Sequence, residues 1–139
     1  MTNKNYLIIV VGPTAIGKTA LAIKLAQYFN SEITSCDSRQ FYKEMEIGTA
    51  VPSQDELNTI KHHFIQNRSM FNNYNVGDYE REVLPHLDNL FKKNNIQIVV
   101  GGSGLYVDAI LKGFDTFPDV DESVREKIDQ NFEQQGIGY

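Results

Sequence analysis

With 139 residues the chain has room for one ordinary domain with a real core, and a hydrophobic fraction of 41% with eight Phe and seven Tyr excludes a disordered chain. No apolar run reaches the length of a membrane span, the start MTNKNYLIIVV leads into a strand pattern without a signal peptide, and the single Cys36 excludes an internal disulfide and suits a reducing cytoplasm. A net charge of −5 weighs against a nucleic-acid partner unless further chain supplies basic surface.

Residues 6–11 (YLIIVV) are a short, apolar, β-branched run with the character of a strand buried on both faces. The run leads into GPTAIGKT, residues 12–19, which fits the phosphate-cradling pattern G-x-x-x-x-G-K-[ST]. Beyond it Leu21, Ala22, Leu25, Ala26 and Phe29 recur at helical spacing. Strand, loop and helix thus fall in the order that pattern requires. Gly12 and Gly17 let the backbone turn tightly, with Pro13, Thr14, Ala15 and Ile16 between them, so that successive amides converge on an anion at the helix start. The helix dipole and its unpaired N-terminal donors favour the same anion. Lys18 adds positive charge for the phosphate oxygens, and the Thr19 hydroxyl is placed to ligate Mg²⁺. A di- or triphosphate is the implied ligand, although the motif alone names no reaction.

Residues 31–36 (SEITSC) form a second strand, with Cys36 as a small core residue. Ligands of open parallel sheets bind outside the carboxyl ends of the strands, so Asp37 should project toward the same crevice as the phosphate loop. Asp37 also suits an N-cap, with Gln40, Phe41 and Tyr42 beginning a helix. Residues 43–52, with Gly48 and Pro52, read as a loop wrapping the site. Ser53 to Glu56 fits a capping box that opens a short helix to about Lys61. His62 and His63 start a short strand that continues through Ile65; neighbours on a strand face opposite sides, so the two imidazoles pack or hydrogen-bond rather than share a metal.

After a loop at residues 69–75, a helical pattern runs from Val76 to about Lys93, with Pro85 kinking or restarting it. Residues 96–100 (IQIVV) are a clear strand, and the glycines at 101, 102 and 104 open a helix to Lys112, stopped by Gly113. Ser103 offers a hydroxyl at that helix start, either for a ligand or as a plain cap. Beyond a turn at residues 117–119, Val124, Ile128 and Phe132 line one side of a polar helix over residues 122–135, closed by Gly136, with Arg125 off the stripe. The alternation of strands and helices predicts an α/β fold on a parallel sheet. No acid follows the third long strand candidate, which leaves Asp37 as the acid at a strand end and weakens a plain NTPase reading.

GPTAIGKTALAIKLA, DSRQFYKEMEIGTAVP, HHF, YNVGDY and VVGGSGLYVDAIL, in that order, closely resemble the tRNA dimethylallyltransferase (tRNA isopentenyltransferase) family over roughly residues 7–112. The resemblance implies a P-loop NTPase-like parallel sheet flanked by helices, with the core over residues 1–113 and residues 114–139 beginning a tRNA-binding helical insertion. Family members are considerably longer, so the expectation is a chain cut off before the core is complete, acting as a monomer in the cytoplasm.

The implied reaction moves a dimethylallyl group from dimethylallyl diphosphate to N6 of adenosine 37, beside the anticodon of tRNAs reading codons that begin with U. On this likeness the loop of residues 12–19 holds the diphosphate leaving group, with Mg²⁺ at Thr19 and Lys18 stabilising its charge. Asp37 matches the general base, Ser38, Arg39 and Gln40 match the segment contacting the target base, and Ser103 and Arg125 match tRNA contacts. Ser103 stands where the family usually has threonine, and Val51 replaces the lysine of GTAKP. A small-molecule or nucleotide kinase, or a diphosphate-binding fragment without catalysis, are the other readings.

Overall fold

Two six-residue strands, β1 (Tyr6–Val11) and β4 (Ile96–Gly101), run parallel in the register Tyr6↔Ile96 to Val11↔Gly101. They belong to a computed structural model that describes residues 4–115 and 120–138; the turn expected at residues 117–119 lies outside these. The remaining elements are α1 (Lys18–Phe29), β2 (Ile33–Ser35), α2 (Gln54–Thr59), β3 (His62–His63), α3 (Val76–Phe91), α4 (Gly104–Leu111) and α5 (Glu122–Gln135), followed by a 3₁₀ turn at Gly136–Gly138. All four strands are parallel, in the order β1-β4-β2-β3. The alternating pattern therefore folds as the sequence predicts.

Alternation along β4 divides the core into two layers. Ile98 and Val100 join Ile33, Ala22 and Ala26 under α1, while Val99 joins Cys36, Phe41, Tyr79, Val83, Leu87 and Ala109 on the other face, under α3 and α4. Phe41 stacks on Tyr79 with ring centroids 5.2 Å apart, and Tyr106 closes the aromatic cluster. The Tyr79 hydroxyl donates to the Ser35 carbonyl at 2.8 Å, tying α3 to the end of β2.

Five local expectations are corrected. β1 is an edge strand of this sheet with no fully buried residue; β2 is the strand buried throughout. Gln40, Phe41 and Tyr42 form a turn rather than a helix start, because Phe41 is drawn into the core and Tyr42 pairs with Arg68. β3 ends after His63, where Phe64 takes a left-handed φ of +60° that no strand accommodates. α3 continues through Pro85 without restarting: Pro85 lies on the exposed face, where water can satisfy the carbonyl its ring leaves unbonded. Ser103 occupies the N-cap position of α4 but makes no side-chain cap. The capping box of Ser53 and Glu56 forms as expected, and a second, Asn75 with Asp78, opens α3.

Candidate functional site

The carboxyl ends of β1, β2 and β4 meet at one place. Gly12 (φ +151°) turns the chain out of β1, and Gly17 (φ +94°) stands at the N-cap of α1 with no side-chain cap, so the first amides of that helix face the loop without a competing acceptor from the cap. Ala15 also adopts a left-handed φ of +64° in this turn. The Lys18 ammonium folds back to donate to the Pro13 carbonyl at 2.6 Å, which holds its charge over the loop.

Asp37 reaches the same place from the end of β2. A Cβ built on Gly102 would lie 3.6 Å from both Asp37 Oδ2 and the Gly12 carbonyl oxygen, so the carboxylate, the phosphate loop and the turn after β4 are neighbours. Oδ1 accepts from the Arg39 amide at 3.1 Å, leaving Oδ2 as the less committed oxygen. The Asp37 amide donates to Ser35 Oγ (3.3 Å) and the Cys36 amide to the Val100 carbonyl (2.8 Å), which fixes the strand end beneath the carboxylate. Burial, helped by the neighbouring Asp37 charge, pushes the Cys36 thiol up to about 12, so this sulfur is an inert core atom, as expected of it.

A cleft of about 290 Å³ brings these groups together. Thr14, Ala15, Gly17, Lys18 and Thr19 line it together with Asp37. Gln40, Ala50, Pro52, Ile65 and Val100 line it too, with His62 and Glu56. Of the other residues singled out from the sequence, Ser38 and Ser103 pair with each other across the rim: the Ser38 amide donates to Ser103 Oγ at 3.0 Å, and the two hydroxyls are also 3.0 Å apart. Arg39 is exposed beside them, and Arg125 is exposed on α5, which packs substantially only on the 3₁₀ turn after it. The cleft thus brings the loop and Asp37 together and leaves Arg125 apart.

The two histidines face opposite ways. His62 Nδ1 donates to the Ile60 carbonyl at 2.8 Å and burial lowers its pKa, so this ring is neutral. His63 bonds to Glu32 and packs on His86 with ring centroids 4.2 Å apart. Among the described residues no cluster of three His, Cys, Asp or Glu could hold a metal ion. The Thr19 hydroxyl and the Asp37 carboxylate both line the cleft, oxygen donors of the kind that suit a hard divalent cation taking its other ligands from a phosphate and water. The apolar wall of Ala50, Pro52 and Ile65 escaped the sequence reading, since nothing in KEMEIGTAVP or HHFI is periodic.

The fold and the cleft define a class: a parallel α/β sheet carrying a glycine-rich turn of the G-x-x-x-x-G-K-[ST] pattern, with a carboxylate at the neighbouring strand end. The family model described as IPP transferase matches residues 40–139. The chain belongs to the IPP transferase family. It is 66% identical over 134 residues to the tRNA dimethylallyltransferase of Flavobacterium johnsoniae and 62% identical over 135 residues to that of Flavobacterium psychrophilum, alignments that take in 96% and 97% of the chain but 43% and 44% of those proteins. Among solved structures, the full-length tRNA isopentenylpyrophosphate transferase of Bacillus halodurans superimposes with a TM-score of 0.77 at 32% identity, over 97% of this chain and 45% of that one. A eukaryotic dimethylallyltransferase acting on tRNA gives a TM-score of 0.72 at 30% identity, over 91% and 31%. The chain therefore spans less than half the length of these relatives.

Proposed function

We propose that this chain carries the donor-binding and proton-accepting part of a tRNA dimethylallyltransferase, which transfers a dimethylallyl group from dimethylallyl diphosphate to N6 of adenosine 37 in tRNAs reading codons that begin with U, in the cytoplasm. The supporting observation is the sharing of one cleft by the phosphate loop and Asp37. The amides of residues 12–19 and the Lys18 ammonium receive the diphosphate. As the allylic C–O bond breaks, its electron pair leaves with the diphosphate, and these donors stabilise the growing charge. The N6 amine attacks the allylic carbon and gives its proton to Asp37 Oδ2. Mg²⁺, which Thr19 Oγ1 would hold, supplies charge neutralisation on the diphosphate.

Ser38, Arg39 and Ser103, at the rim, are assigned to the nucleotides around the target base, and Arg125 to tRNA further out. On this reading residues 114–139 open the part of the protein that grips tRNA, and the acidic balance of the chain leaves most basic surface to the rest of that part. Labelled dimethylallyl diphosphate incubated with the protein and an anticodon stem-loop tests the reading. Label on the RNA supports it. Label remaining off the RNA while ATP is consumed rejects it and favours a kinase.

A further inference from the structure

After α4 the chain leaves the sheet, and α4 alone does not set the direction in which it leaves. A helix that ends on a left-handed glycine commonly bonds the next amide back to its own last turn. Here Lys112 is the cap, its amide donating to the Asp108 carbonyl at 2.8 Å, and Gly113 follows at a φ of +68°. The Phe114 amide, which that ending would return to α4, donates instead to the Glu80 carboxylate of α3, 3.2 Å from Oε2 and 3.4 Å from Oε1. Gly113 fits against the same carboxylate. A Cβ there would lie 3.1 Å from Glu80 Oε1, on a backbone conformation that strains any side chain. Phe114 and Asp115 line an open cavity of about 440 Å³ with Asn75, Val76 and Gly77, so space rather than packed side chains separates this exit from the start of α3. Its direction therefore rests on one carboxylate. Further along, α5 packs substantially only on the 3₁₀ turn after it, and no other described element holds it as closely.

We propose that Glu80 is a positioning residue: it anchors the chain at Phe114 and so aims the part beyond, which receives tRNA. The inference rests on the reading of that part as the tRNA grip. Glu80 lies outside the lining of the cleft, so its effect falls on how RNA is presented to Asp37 and not on the transfer step.

Two measurements on the full-length protein test this. Nitroxide labels on Tyr28→Cys and Gln130→Cys, both exposed positions, report the distance between α1 and α5 without any reaction. One narrow distance is expected with Glu80 in place, and Glu80→Ala and Gly113→Ala are each expected to broaden it. A wild-type distribution already as broad, or one that neither variant changes, overturns the anchor. In transfer to an anticodon stem-loop, Glu80→Ala is expected to raise the KM for RNA about threefold to tenfold, the worth of one hydrogen bond, with kcat and pyrophosphate affinity as in the wild type. Gly113→Ala follows it, and Glu80→Gln, which keeps an acceptor without the charge, falls between. A variant that is merely less well folded loses kcat with its inactive fraction and keeps its KM, so that pattern, or an unchanged KM, overturns the inference. A wild type that transfers no label overturns the tRNA reading and the claim about RNA with it, while the label distances decide the anchor separately.

Discussion

At Gly101 the fold leaves no room for a side chain: a Cβ there would lie 2.6 Å from both the Cys36 carbonyl carbon and Sγ. The close approach is what brings the end of β2, and Asp37 with it, against the turn after β4. Gly101→Ala is expected to cost roughly 1–3 kcal/mol by overpacking, read as a fall in the denaturant midpoint at unchanged slope; a wild-type midpoint would mean that the two strand ends do not meet this tightly. Lys18 and Asp37 answer to different parts of the same cleft. Lys18→Ala is expected to weaken pyrophosphate binding by at least about tenfold, the loss of a charge-assisted contact, whereas Asp37→Ala leaves that affinity within a few-fold. On the proposed transfer reaction, measured in the full-length protein, Asp37→Ala is expected to abolish turnover and Lys18→Ala to lower it as well as binding; near-normal turnover of Asp37→Ala would remove Asp37 from the role of base.

The elements show where pattern suffices and where packing decides. The glycine-rich loop at residues 12–19, its flanking strand and helix and the capping box at Ser53 follow from local chemistry, because each depends on residues a few positions apart, while the place of Asp37 follows from the rule for strand ends of a parallel sheet. The turn at residues 40–42 does not, since burial of Phe41 against Tyr79 overrides the helix start that Asp37 suggests. The length of β3 does not either: it is set by the left-handed backbone at Phe64, a phenylalanine whose side chain packs toward Tyr79 and His86. The Ala50, Pro52 and Ile65 wall of the cleft is invisible in sequence because its residues come from two separate loops, brought together by bonds such as that from Gln66 Nε2 to Glu46. Two side chains of the α3 layer lend themselves to measurement. Tyr79→Phe removes the only side-chain bond given to the buried Ser35 carbonyl among the described residues and is expected to cost about 1–3 kcal/mol.

His86 carries the pH dependence of the same layer. Burial, with His63 beside it, pulls His86 from its ordinary 6.5 down to about 4, so the folded chain resists a proton that the unfolded chain accepts. Stability from this residue is complete above about 6.5 and is lost as pH falls toward 4, by on the order of 2–3 kcal/mol. Burial raises the Glu32 carboxyl, but the His63 hydrogen bond and the charges of His63 and Lys61 prevail and lower it, which adds a loss in the same direction at the acid end of that range. Denaturant melts at pH 7 and pH 4.5 check this: His86→Gln is expected to flatten the difference, and an unchanged difference would place the titration elsewhere.

At the scale of the molecule, the described residues leave apolar surface open. The outer edge of β1 has no strand neighbour, and Val124, Ile128 and Phe132 on α5 are 45%, 56% and 55% exposed. The isolated chain is expected to self-associate as its concentration rises and to melt broadly, by sedimentation velocity and calorimetry; a sharp two-state melt of a concentration-independent monomer would contradict this. None of the described helices is long and apolar enough to cross a membrane. The central claim is narrower: one cleft places a diphosphate on the loop of residues 12–19 within reach of Asp37. Amide chemical shifts followed during titration with pyrophosphate and Mg²⁺ test it most directly. The account predicts perturbations concentrated at residues 12–19 and at the Asp37 turn, whereas perturbations centred elsewhere, or none at saturating pyrophosphate, would contradict it.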